Sequence, residues 1–138
     1  MSEDAPAGFR MTKAGGPFGN EVGPFFVNDD EDDFRIGLRI EQRHINPNRS
    51  VHGGVLMTMA DHAGSLAVLH SLAEKTPFAT VSLNCDFLAP AREGDWVEAW
   101  GTVVRRTRTL AFANATIELD GKPILRANGI WKIRNASG

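Results

Sequence analysis

The chain has 138 residues, enough for one domain with a real core and too few for two. Its formal net charge of −2 argues against nucleic acid as the main partner, because phosphate contacts need a concentrated basic surface; a small basic pocket stays open. Hydrophobic residues make up 42% and charged residues 23%, an ordinary soluble balance, and the single cysteine, Cys85, permits no internal disulfide, which fits a reducing cytoplasm.

The opening MSEDAPAGFR carries acids and no apolar stretch, so it does not read as a signal peptide. Residues 1–16 are small and polar and read as a flexible tail, with a single domain over 17–138. Residues 17–27, PFGNEVGPFFV, read as a short helix or turn that packs aromatic rings onto the body. The acid run NDDEDD, 28–33, reads as a solvated turn; a calcium loop needs a glycine at its sharp bend, and none is present. Phe34, Ile36, Leu38 and Ile40 alternate with polar or small residues as a half-buried strand, followed by the loop QRHINPNRS.

A helix is expected over about residues 53–72. Its apolar run over residues 51–69 approaches membrane-span length, but Asp61, two histidines and several small residues point to a buried helix of a soluble protein. Four strands then follow, over 78–88, 96–106, 110–119 and 124–133, with a hairpin turn at Asp120-Gly121. In chain order this is strand, helix and a four-stranded antiparallel meander. A helix that is apolar on nearly all sides must be covered on nearly all sides. The expected solution is an α+β domain in which the sheet curls around the helix and a second subunit closes the rest, an obligate dimer.

Asp61 is the one acid in that apolar run, and Asp is a poor helix former. An acid there can simply pair with an arginine or cap a neighbour. The helix start, Val51-His52-Gly53-Gly54, adds a second possibility. Helix N-termini carry unpaired N–H groups and partial positive charge, and glycine lets a substrate oxygen approach the backbone, so an oxyanion hole can be built there. His52 fits either a hydrogen bond that fixes the loop or a base. Asp61 lies eight residues beyond Gly53, about 12 Å along a helix at about 1.5 Å per residue. One carbonyl cannot touch both in one chain; two antiparallel helices in a dimer would bring them together.

The spacing N-x5-H-G-G-x6-D, here Asn46, His52, Gly53, Gly54 and Asp61, resembles the hotdog-fold acyl-CoA thioesterases of the phenylacetate-pathway (PaaI-like) type. The stretch TVSLNCDFLAPAREGDWVEAWGTVVRRTRTLAFANATI is similar to that family's strands, and the resemblance covers about residues 34–133. It implies a hotdog fold and hydrolysis of an acyl-CoA. It implies Asp61 as general base or nucleophile from the opposite subunit, the Gly53 N–H as oxyanion donor, and Asn46 positioning water or substrate. His52 would support the loop and the sulfur side, and the Thr80 hydroxyl would lie near the attacking water. Gly54, Arg106, Arg108 and Thr109 would contact CoA, which is part of the substrate; no metal and no separate cofactor is implied. Partners implied are a second copy of the chain, as a homodimer that can pair into a tetramer. Cytoplasmic location, without membrane or nucleic acid, completes the expectation.

The remaining residues have plainer readings. Cys85 reads as a small core residue. Arg105, Arg106 and Arg108 form a basic cluster that is either a solvated edge or a phosphate contact; strand alternation places Arg106 and Arg108 on one face and Arg105 on the other. His44, His62 and His70 show no metal-ligand spacing, and His62 lies about 100° around the helix from Asp61. Met57 and Met59 read as core or pocket lining. Trp96, Trp100 and Trp131 read as core or interface anchors. The alternative to hydrolysis is a non-catalytic acyl-CoA-binding hotdog module, which would dispense with the acid. A dehydratase would need a differently placed His–acid pair.

Overall fold

A computed structural model describes residues 5–134. The elements are β1 (Phe9–Thr12), α1 (Gly16–Val22), β2 (Phe25–Asn28), β3 (Ile36–Arg39), α2 (Gly53–Ser71), β4 (Phe78–Phe87), β5 (Trp96–Arg106), β6 (Leu110–Leu119) and β7 (Lys122–Ile133). All seven strands join one antiparallel sheet in the order β1-β2-β3-β5-β6-β7-β4. The long helix α2 lies across β5, β6, β7 and β4.

Small residues let the helix sit close to the sheet. Ala111, Ala113 and Ala115 alternate along β6 and are buried, with Ile117 completing the face. At Gly101 on β5, a Cβ would stand 2.5 Å from the Ala63 carbonyl oxygen of α2, so only glycine fits this crossing. The helix contributes Leu56, Met59, Ala60 and Ala63 to a core shared with Leu38, Val97, Ile117 and Leu125. Farther along, Val68 packs with Trp131 and Ile133, and the Trp131 indole N–H donates to Ser65 Oγ at 3.0 Å. The Asp120-Gly121 turn forms as expected, with both residues at positive φ (52° and 78°). Cys85 packs against the main core, and burial pushes its thiol above the usual range, with Asp86 and Asp61 adding to the shift.

Three expectations are corrected. First, the flexible tail expected over 1–16 does not hold for Phe9–Thr12, which pair with Phe25–Asn28 as β1 and β2; residues 1–4 lie outside the described ones. The T-shaped contact of Phe9 with Trp96, ring centroids 5.2 Å apart, ties this strand down. Second, the four C-terminal strands do not form a meander in chain order. Only β5, β6 and β7 do, and β4 lies beyond β7 at the sheet edge. The segment between β4 and β5 is too long for a tight turn. It buries Ala91, whose carbonyl accepts the Val51 N–H at 2.8 Å, and Gly94 and Asp95 bond Ile40 at its far end. Third, β5 carries a bulge between Val103 and Arg105 and ends at Arg106. Arg108 therefore lies in the following turn, and strand alternation does not place it on a face with Arg106.

Candidate active site

The start of α2 is built by the loop before it. Asn46 Oδ1 accepts the N–H groups of Asn48 (2.9 Å) and Ser50 (3.2 Å), and Asn46 Nδ2 donates to Ser50 Oγ at 3.3 Å. Its polar atoms are turned into its own loop, where Arg49 adopts φ 67°. Ile45 and Val51 then bridge across the loop base. Buried His44 anchors the same region. Its Nδ1 accepts the Glu41 N–H at 2.9 Å, its Nε2 donates to the Val22 carbonyl, and its own carbonyl accepts the His52 N–H at 2.8 Å.

His52 is the N-cap of α2. Its Nδ1 accepts the Gly54 N–H at 2.8 Å, so the ring is the neutral tautomer with its proton on Nε2. The Val55 N–H reaches the His52 carbonyl at 3.0 Å. The Gly53 N–H has no hydrogen-bond partner among the described residues. One helix-start donor is thus left for an outside acceptor, at the positive end of a 19-residue helix. Phe87 flanks it: a Cβ on Gly53 would lie 3.1 Å and 3.3 Å from two of its ring carbons. Nothing in the sequence pattern pairs Phe87 with Gly53, because only the folding of β4 brings them together.

Two turns further along α2, half-buried Asp61 meets β4. The Thr80 hydroxyl donates to Asp61 Oδ1 at 2.7 Å. A bulge between Thr80 and Ser82 leaves Val81 as the extra residue. Such a bulge bends the strand and re-aims the side chain beside it. Among the described residues, Asp61 Oδ2 makes no hydrogen bond. His62, the next residue, faces elsewhere, stacking edge-on against Phe25 with ring centroids 5.0 Å apart. Burial pushes the His62 imidazole below its usual value, and the Asp61 charge opposes the shift.

The basic residues divide. Arg106 donates to the Ser71 carbonyl at 2.8 Å, capping the end of α2. Arg108 and Thr109 are exposed in the turn between β5 and β6. Thr109 borders a groove of about 530 Å³ whose other walls include Val81, Lys132 and Arg134. Lys132 and Arg134 reach this groove from the end of β7, a placement that sequence spacing does not reveal. The structure therefore joins Asp61 to Thr80 and His52 to Gly54. It turns Asn46 into its loop and leaves Gly53 and Asp61 at separate points of one helix.

Residues 48–123 match the thioesterase superfamily. A Pseudomonas aeruginosa protein whose name assigns it to the esterases is 32% identical over 131 residues, 94% of this chain and 98% of the relative. Mouse acyl-coenzyme A thioesterase 13 is 25% identical over 80 residues, 58% of this chain and 56% of the relative. The structure of a phenylacetic acid degradation protein, PaaI, from Thermus thermophilus superposes with a TM-score of 0.74 at 24% identity, covering 84% of this chain and 97% of that one. No helix among the described residues is long and apolar enough to cross a membrane. The chain belongs to the thioesterase superfamily and has its hotdog fold, one long helix held in an antiparallel sheet, with relatives that support a hydrolase.

Proposed function

We propose that the chain hydrolyses acyl-CoA thioesters to a free carboxylic acid and CoA. The observation that carries this reading is the 2.7 Å hydrogen bond from Thr80 to Asp61, which holds one carboxylate oxygen and leaves the other to act. The uncommitted Gly53 N–H supplies the complementary group, a backbone donor for the oxygen of the thioester carbonyl. Because the two lie at different points of one helix, the working site pairs Asp61 of one protomer with the helix start of a second. The β4 edge, with Val81, Phe87 and Leu88 each about half exposed (57%, 51% and 48%), supplies an apolar face for that second copy.

A thioester is already activated, so an oxyanion donor and a carboxylate suffice. With Asp61 as base, Oδ2 takes a proton from water, the oxygen attacks the carbonyl carbon, the C–S bond breaks and CoA leaves as the thiolate. With Asp61 as nucleophile, Oδ2 attacks the carbonyl carbon, the C–S bond breaks and CoA leaves as the thiolate; water then hydrolyses the resulting mixed anhydride to the carboxylic acid and free Asp61. His52 serves the helix start, its Nε2–H available on the sulfur side. Asn46 serves by shaping the loop. Exposed Gly54 keeps the approach clear of a side chain, while Arg108, and Thr109 with Lys132 and Arg134 around its groove, meet the CoA phosphates. Arg106, held on Ser71, contributes only by leaving that carbonyl. The test is stoichiometry. Equal molar release of carboxylic acid and free thiol from an acyl-CoA supports hydrolysis, whereas thiol release without acid would point to acyl transfer and contradict it.

A further inference from the structure

Among the described residues, His44 is the only buried one of a polar or charged type, 2% exposed. A polar group taken out of water is costly unless its polar atoms find partners, and here both ring nitrogens do. Nδ1 accepts the Glu41 N–H at 2.9 Å, while the His44 N–H returns to the Glu41 carbonyl at 2.9 Å, so ring and backbone together close the turn at Gln42–His44. Nε2 donates to the carbonyl of Val22, the last residue of α1. A neutral imidazole has one acceptor and one donor, and both are spent. Filling the space does not require such a side chain; an apolar one does that without the polar cost. Its use lies in what it holds. The His44 carbonyl accepts the His52 N–H at 2.8 Å. His52 in turn gives Nδ1 to the Gly54 N–H and its carbonyl to the Val55 N–H, which leaves the Gly53 N–H uncommitted. The far end of this chain of bonds is fixed too. Arg43 donates to the Glu21 carbonyl, and α1 lies so close to α2 that a Cβ on Gly15 or Gly19 would fall 2.4 Å or 3.0 Å from a ring carbon of His62.

Resting on the hydrolytic reading above, we infer that His44 is a positioning residue for the Gly53 oxyanion donor, and that through it the N-terminal segment is a working part of the site. Buried His44 acts through His52 and not on the substrate. An oxyanion donor must be aimed at the place where the oxyanion forms, not at the ground-state carbonyl oxygen. A cap that loosens therefore loses transition-state stabilisation while substrate binding persists, and the loss falls on kcat more than on KM.

Two near-isosteric variants divide the ring's bonds. In His44→Asn, Oδ1 stands where Nδ1 did and keeps only the Glu41 bond. In His44→Gln, Nε2 stands where the ring Nε2 did and keeps only the Val22 bond. Each retains one tie, so the fold should survive. Thiol release from acyl-CoA, per folded molecule, should show kcat down about tenfold in both variants, with KM within about twofold of wild type. Combined with Gly53→Ala, either variant should add little, because a blocked donor no longer depends on its aim; effects that multiply to about a hundredfold would mean that His44 acts elsewhere and would overturn the assignment. Amide hydrogen exchange reads the clamp without turnover. Protection of the His52 and Gly54 amides should fall while that of Met59–Ala63 in mid-helix holds; protection lost evenly along α2, with kcat per folded molecule unchanged, would make His44 a plain stability residue. If wild type turns over no acyl-CoA while the cap amides of the variants still open, hydrolysis is contradicted and the clamp stands; turnover by wild type that both variants match would do the reverse.

Discussion

Replacing Gly53 by alanine separates stability from catalysis. Gly53 opens α2 with helical geometry and no positive φ, so alanine fits the backbone. Inside a helix that exchange is worth up to about 1 kcal/mol in favour of alanine. The new methyl would stand 3.1 Å and 3.3 Å from Phe87 ring carbons. That ring is 51% exposed and can swing outward, so the crowding should offset the helical gain without exceeding it by much. The denaturation midpoint should therefore stay close to wild type. Turnover should not. The methyl sits beside the one uncommitted helix-start donor, where a carbonyl oxygen must come within about 3 Å. Loss of one oxyanion donor typically costs about 10²–10³ in kcat, and partial crowding should cost at least tenfold. The assay is thiol release at saturating acyl-CoA alongside urea denaturation. A stable Gly53→Ala variant with wild-type kcat would refute the claim that the thioester oxygen must approach closely at this helix start.

Three further outcomes are expected. Gly64→Ala would put a Cβ 2.4 Å and 2.6 Å from ring carbons of Trp131, which is 1% exposed; the overpacking should cost about 1–3 kcal/mol in denaturant titration. Burial holds folded His62 below its free value of 6.5, so below 6.5 the unfolded chain binds a proton that the folded chain refuses. Stability should fall as pH drops from 6.5 towards the lowered folded value, and His62→Leu should flatten that slope; an unchanged slope would mean that other groups produce it. Arg108→Ala should raise KM for CoA esters more than for short thioesters lacking the nucleotide, and equal effects would place Arg108 outside the CoA site.

Local features were legible in the sequence because local rules decide them. The helix begins at Gly53 where the His52-Gly53-Gly54 cap predicts, and the β6–β7 hairpin turns at Asp120-Gly121. The motif spacing also pointed to Asp61, and the family resemblance to Thr80, which β4 then brings into contact with it. Long-range choices were not legible. Whether β4 pairs with β5 or β7 depends on how the 88–95 segment crosses the helix start, which periodicity does not encode. The strand Phe25–Asn28 has three successive buried residues and no alternation to betray it. Asn46 has the right spacing for a substrate contact, yet its carboxamide is spent on its own loop. Arg106 looked free in the sequence, but the end of α2 folds back beneath it.

The central claim is that the Asp61 carboxylate performs the chemistry. The direct measurement is thiol release from an acyl-CoA panel by wild type and Asp61→Asn side by side, with binding of the same esters to both. Asparagine keeps the shape and can still accept the Thr80 hydroxyl, so folding and binding should persist while turnover falls by about 10²–10⁴. An Asp61→Asn variant that folds, binds and turns over like wild type would contradict the account.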